Sequence, residues 1–255
     1  MRWLRWSVWL AMASMAGMTA ANSNDAPPDL QPAQVVVELF TSQGCSSCPP
    51  ADALWRRLGD DPALRARVVP LAFHVDYWNS LGWKDPFSSA AWSARQTDYA
   101  RAFGSGRVYT PQAVIGGRAE CVGSDEDRVL TRIDAAARRP LGRFAVRRLD
   151  DGSLAVTAVA PETARRQLDV LLAIYEREHT TAVERGENGG RKLRNAFIVR
   201  RLEPAFTLSP PPAPAIEHVV PLRLDPAWKG LRLGAAVFLQ DPTTREIFGG
   251  RAIDL

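Results

Sequence analysis

Hydrophobic and polar positions alternate in two different rhythms along this chain. Val35–Phe40 is a nearly continuous apolar, β-branched run, as a central strand buried on both faces requires. Thr41–Gly44 then turns the chain. Pro49 and Pro50 stand where a helix tolerates proline, in its first turn, and Ala51, Leu54, Trp55 and Leu58 follow at helical spacing before Gly59–Pro62 stops the helix. Val68–Val75 reads as a second buried strand. The segment 76–104 is a helical insert, opened by an aromatic stretch. Ser88 is the expected N-cap of its helix, which carries Trp92, Tyr99 and Phe103 on one face. Gln112–Ile115 and Ala119–Val122 flank Gly116-Gly117 as a hairpin. Ser124 and Asp127 form a capping-box-like start for a helix bearing Val129, Leu130 and Ile133.

Beyond Gly142 the helical rhythm stops. Phe144–Arg148 and Leu154–Ala160 flank Asp150-Asp151-Gly152, a second hairpin signal. Leu168–Tyr175, Ala196–Arg201, Leu231–Gln240 and Ile247–Ile253 read as further strands. This predicts a unit over 34–140, in which strands and helices alternate, and a β-rich, sandwich-like unit over 142–255.

The amino-terminal residues change the picture of where the chain works. Arg2 and Arg5 precede the uncharged apolar run Trp6–Met18, and small residues follow up to Ala21. That order predicts a secretory signal peptide over 1–21, and the run falls short of the ~20 residues of a membrane-spanning helix. A polar, proline-rich lead-in over 22–33 is expected to be disordered. The expected location is periplasmic or secreted, with no stable membrane insertion after cleavage. Charge adds little: 32 basic residues less Arg2 and Arg5 leave 30 against 28 acidic. No basic run with interleaved aromatics suggests nucleic acid as a partner.

The chemistry lies in the cysteines. Of three, Cys45 and Cys48 are spaced C-x-x-C between a strand and a helix, and Cys121 stands apart. A bridge across so short a loop removes little unfolded-state entropy, so the spacing suits a reactive pair. The helix dipole favours a thiolate at Cys45, which makes it the attacking nucleophile, with Cys48 resolving the mixed disulfide. No cofactor is expected beyond this disulfide, and the expected partner is a thiol or disulfide substrate, protein or small molecule. Cys121 is expected to behave as a small apolar residue, with a second resolving thiol or an intermolecular link as its other readings.

Three blocks carry a resemblance: Val37–Asp52 (VELFTSQGCSSCPPAD), His74–Phe87 (HVDYWNSLGWKDPF) and Tyr109–Gln112 (YTPQ), with Arg185–Leu193 (RGENGGRKL) matching in the second half. Together they are similar to an exported thioredoxin-like family of unknown function within the thioredoxin superfamily. The resemblance implies an α/β thioredoxin-like domain, followed by the mostly β carboxy-terminal domain. It implies thiol–disulfide exchange, with Pro111 as a cis-proline facing the disulfide and Thr110 offering backbone to a substrate. Glu38 is either a buried proton relay for Cys48 or a strand glutamate paired with an arginine. His74 either stabilises a thiolate or anchors the insert. Two other classes stay open: a copper-binding module using Cys45, Cys48 and His74, and a non-catalytic scaffold with a structural disulfide.

Overall fold

A computed structural model describes residues 29–255. The signal peptide expected over 1–21 and most of the 22–33 lead-in fall outside the described residues. The end of that lead-in is ordered: β1 (Gln31–Pro32) pairs with β6 (Arg143–Arg148).

The described residues hold twelve strands and four α-helices. β2 (Val35–Thr41) and β3 (Val68–His74) run parallel, with α1 (Pro49–Asp60) and the short α2 (Pro62–Arg65) between them. A 3-10 turn at Asn79–Leu81 and α3 (Ala90–Ala102) follow. Then come β4 (Gln112–Ile115), β5 (Ala119–Val122) and α4 (Glu126–Ala137). Ser89 caps α3, its hydroxyl accepting from the Ala91 N–H, and Asp125 caps α4 by accepting from Arg128. Each cap thus sits one residue later than the pattern suggests. After β6 come β7 (Leu154–Val159), the long strands β8 (Leu168–Ala182) and β9 (Lys192–Leu208), then β10 (Glu217–Val220), β11 (Leu233–Gln240) and β12 (Ile247–Asp254).

The expected architecture, an α/β thioredoxin-like domain followed by a separate β-rich domain, is corrected by the sheets. One sheet of eight strands runs β12-β11-β8-β9-β3-β2-β4-β5 and draws on both halves of the chain. The physical reason is visible in β3, which is buried at every position. A strand buried that completely cannot remain an edge, because its outer N–H and C=O groups would lack partners. β9 fills that side, pairing parallel to β3 at Ala72 and Ile198. The far edge then returns: Gln34 and Gly250 exchange hydrogen bonds of 2.8 and 3.0 Å, so β12 meets the start of β2 and the large sheet curls round on itself. A second, antiparallel sheet of four strands, β1-β6-β7-β10, completes the strand structure.

Side chains alternate across strands, and that alternation sorts the core. Val36, Phe40, Leu71 and Phe73 meet Trp92 and Tyr99 of α3 on one face. Val35, Val37, Leu39 and Ala72 meet α1 and α4 on the other. A third cluster joins Phe144, Leu154 and Val156 of the small sheet to Val170, Leu172 and Val237.

Candidate functional site

The turn after β2 delivers the cysteines to the start of α1. Cys45 and Cys48 are joined in a disulfide with Cα atoms 5.5 Å apart, and both are wholly buried. Cys48 is the helix N-cap residue, and its carbonyl accepts from Ala51 and Asp52. Prolines 49 and 50 bring no N–H groups of their own. The Cys45 Sγ lies 3.3 Å from the Ser47 hydroxyl.

The second half of the chain covers this bridge. At the tip of the β8–β9 hairpin, Asn188 is fully buried and its Nδ2 donates to the carbonyls of Gln43 and Cys45, each at 2.9 Å. The Glu187 carboxylate accepts from the Ser46 N–H at 3.0 Å, and the Ser46 hydroxyl together with that N–H holds its pKa below the usual range. Arg191 steadies Asn188 by donating to Oδ1 at 2.6 Å. Gln43 ties the same loop to both strands: its Nε2 donates to Thr181 of β8 and Asn195 of β9, and its Oε1 accepts from Trp83.

Behind the bridge lies a buried polar cluster on the α1 face of the sheet. Thr41 and His74 pair side by side in the β2–β3 register, and Thr41 donates to Asp52 at 3.0 Å. Asp52 stands four residues after Cys48, so both project from one side of α1. Burial pushes the Asp52 carboxyl up to about 6, against the opposing pull of His74 and Thr41. The His74 Nδ1 lies 2.7 Å from Asp85, both groups being wholly buried. Burial opposes charge on His74, but the Asp85 and Asp52 carboxylates outweigh it and raise the imidazole above its ordinary value. Burial likewise disfavours charge on Asp85, but His74 and the N–H groups of Gln43 and Phe87 prevail and lower it. The His74 Nε2 and the Asn195 Nδ2 are buried without hydrogen-bond partners.

The Thr110–Pro111 peptide is cis. Trp78 donates to the Thr110 hydroxyl at 2.8 Å. Gly123 shows what surrounds the proline: a Cβ built there would sit 3.3 Å from both Ala51 of α1 and Pro111. Pro111 thus flanks the first turn of α1, while Trp78 packs on Gly44 just before Cys45.

Glu38 is the residue the structure moves away from the cysteines. Alternation along β2 turns it to the α3 face, opposite Cys48 and α1. There its carboxylate accepts from Arg95 at 2.8 Å and from the Tyr99 hydroxyl. It is the arginine-paired strand glutamate, and the relay role is withdrawn. The buried acid beside the motif is Asp52, whose signal in the sequence is its four-residue spacing from Cys48. Asp85, Gln43, Asn188 and Glu187 stand with it, and their one signal in the sequence is that each lies within one of the quoted blocks. Cys121 is a buried free thiol on β5, pushed up by burial although Arg132 lies beside it. Among the described residues, no group of three His, Cys, Asp or Glu side chains is placed to hold a metal ion. No helix among them is long and apolar enough to cross a membrane.

Two solved structures resemble the chain. A crystal structure of a protein from Agrobacterium tumefaciens is 31% identical, with a TM-score of 0.70, over 88% of this chain and 95% of that one. HBP35 of Porphyromonas gingivalis is 12% identical with a TM-score of 0.56, over 88% of this chain and 76% of its own, a likeness of fold alone. No curated protein matches the chain. The model of a family described as "protein of unknown function", DUF1223, matches residues 36–240. With most of its length so matched, the chain belongs to the DUF1223 family.

Proposed function

We propose that the protein is a thiol–disulfide oxidoreductase working outside the cytoplasm, its redox group the Cys45–Cys48 disulfide. The observation that carries this reading is the bridge closed across C-x-x-C at the start of α1, with a buried carboxyl held near neutrality one turn further in. A structural staple has no use for such a carboxyl, whereas proton transfer at the second thiol does.

In the reduced state, the Cys45 thiolate attacks one sulfur of a substrate disulfide. A bond forms between Cys45 and that sulfur, the substrate bond breaks, and the other substrate sulfur leaves as a thiolate. Asp52, as the carboxylate, takes the proton of Cys48. The Cys48 thiolate attacks Cys45, expels the second substrate sulfur and re-forms the bridge. The substrate is reduced by two electrons and the pair oxidised by two; run backwards, the same steps oxidise a dithiol. His74, when protonated, places a positive charge near Asp52 and so favours its ionised form. Pro111 and Thr110 flank the entrance. The hairpin tip at Glu187–Asn188 must lift before any substrate sulfur reaches Cys45, since both cysteines are sealed.

The test is a trapped intermediate. Reduced Cys48→Ser protein treated with glutathione disulfide is expected to gain one glutathionyl mass on Cys45, stable until a dithiol is added. Absence of that adduct, in protein whose unfolded form reacts at once, would exclude the exchange reaction.

A further inference from the structure

A separate hollow opens at the other end of β2, about 20 Å from the cysteines at 3.3 Å per strand residue. Its volume is about 300 Å³, at the lower end of pockets that hold small ligands. Its walls come from the start of β2, the β4–β5 turn, the last turns of α4 and the start of β12. Val35, Ile115, Ile247 and Phe248 give it an apolar lining, and Arg118, Arg132 and Arg139 bring three guanidinium groups.

The charges there do not balance. Glu246 is the single carboxylate in the lining. It is shared between Arg118 and Arg139, the latter at 3.7 Å. That leaves Arg132, whose Nε is buried with no hydrogen-bond partner; the Cys121 thiol beside its guanidinium is only a weak acceptor. A buried guanidinium N–H without an acceptor is unfavourable, and an anion in the hollow would satisfy it. The wall is built to hold its shape. Gly117, at φ +62°, leaves only 2.0 Å between a built Cβ and the Arg245 carbonyl, so the β4–β5 turn rests directly on backbone.

We propose that this hollow binds a small amphipathic anion, its carboxylate or phosphate headgroup received by Arg132 and its apolar body lying against Ile115, Ile247 and Phe248. The planar guanidinium fork suits either oxyanion. The site is independent of the redox reading and stands or falls apart from it.

Calorimetric titration of the full chain with decanoate, decyl phosphate and decanol tests it. At least one of the two anions is expected to bind saturably at one site per chain, and decanol at least tenfold more weakly. Arg132→Ala should weaken the anion at least tenfold and leave decanol unchanged, with Arg132→Lys in between. Ala135→Trp, introduced from the exposed side of α4, fills the mouth and should remove binding of all three while the melting temperature holds. The proposal is overturned if neither anion binds saturably, if decanol binds as tightly as the anions, or if binding is indifferent to both the Arg132 and Ala135 substitutions.

Discussion

Two buried polar clusters sit back to back across the β2–β3 pair, and they differ in how completely they are satisfied. On the α3 face, Glu38, Arg95, Tyr99 and Gln240 close on one another: Arg95 donates to all three partners, and Gln240 also donates to the Tyr99 hydroxyl. On the α1 face, Thr41, Asp52, His74 and Asp85 leave the His74 Nε2 without a partner and Asp52 with a carboxyl titrating near 6. A closed network of charges rigidifies a core; an open one keeps protons to exchange. The open cluster is the one behind the disulfide, where the proposed exchange reaction would use it.

The comparison breaks first at its closed side. Arg95→Met strands the Glu38 carboxylate in the core and should cost about 3–5 kcal/mol of stability, measured by denaturant unfolding. The reactivity of Cys45 in the surviving folded fraction should not change. A large change there would mean that the two faces are coupled.

The open side predicts an effect of opposite sign. The folded-state pKa of Asp52 is raised from 3.8 to about 6, so its protonated form favours the fold and that contribution is lost as pH rises from about 4 through 6. Asp52→Asn should therefore stabilise the protein at pH 7.5 by roughly 1–3 kcal/mol. The gain should vanish below pH 4, as seen in melting curves across pH. The same variant should slow Cys48-dependent release of a mixed disulfide, most visibly above pH 6, where Asp52 is ionised and able to act as a base.

A smaller effect concerns the hairpin over the bridge. Asn188→Ala removes two hydrogen bonds to the cysteine loop, worth about 1 kcal/mol each, and should speed reduction by dithiothreitol at least severalfold. An unchanged rate would show that the hairpin does not gate the site. Smallest of all, Cys121→Ala replaces one small buried group by another and should shift stability by less than about 1.5 kcal/mol. Two titratable thiols per reduced, folded chain should remain.

How much of this was legible beforehand divides along the same line. Continuous apolar runs identified β2 and β3, and helical spacing identified α1 and α4, because those periodicities follow from burial on known faces. What joins β3 on its far side is a long-range choice, and periodicity names strands without naming their neighbours. That is why the two-unit architecture had to give way to one sheet spanning both halves. Cys45 and Cys48 stood out by spacing. Glu38 misled because a glutamate in a buried strand looks alike whichever face it points to, and only the register of Val36 and Phe40 against α3 decides. Asp52 was hidden among helix-start residues, where an acid is ordinary on dipole grounds. The covering role of Asn188 depends on a contact across 143 residues of sequence to Cys45, which no local pattern reports.

The central claim is that the Cys45–Cys48 bridge is an exchanging redox group. Equilibrating the folded protein along a dithiothreitol series, with free thiols counted at each point, addresses it most directly. A reversible two-electron transition is predicted at a potential above about −300 mV, lost in Cys48→Ser. A bridge that stays oxidised down to potentials well below about −300 mV, in folded protein, would mark a structural disulfide and contradict the account.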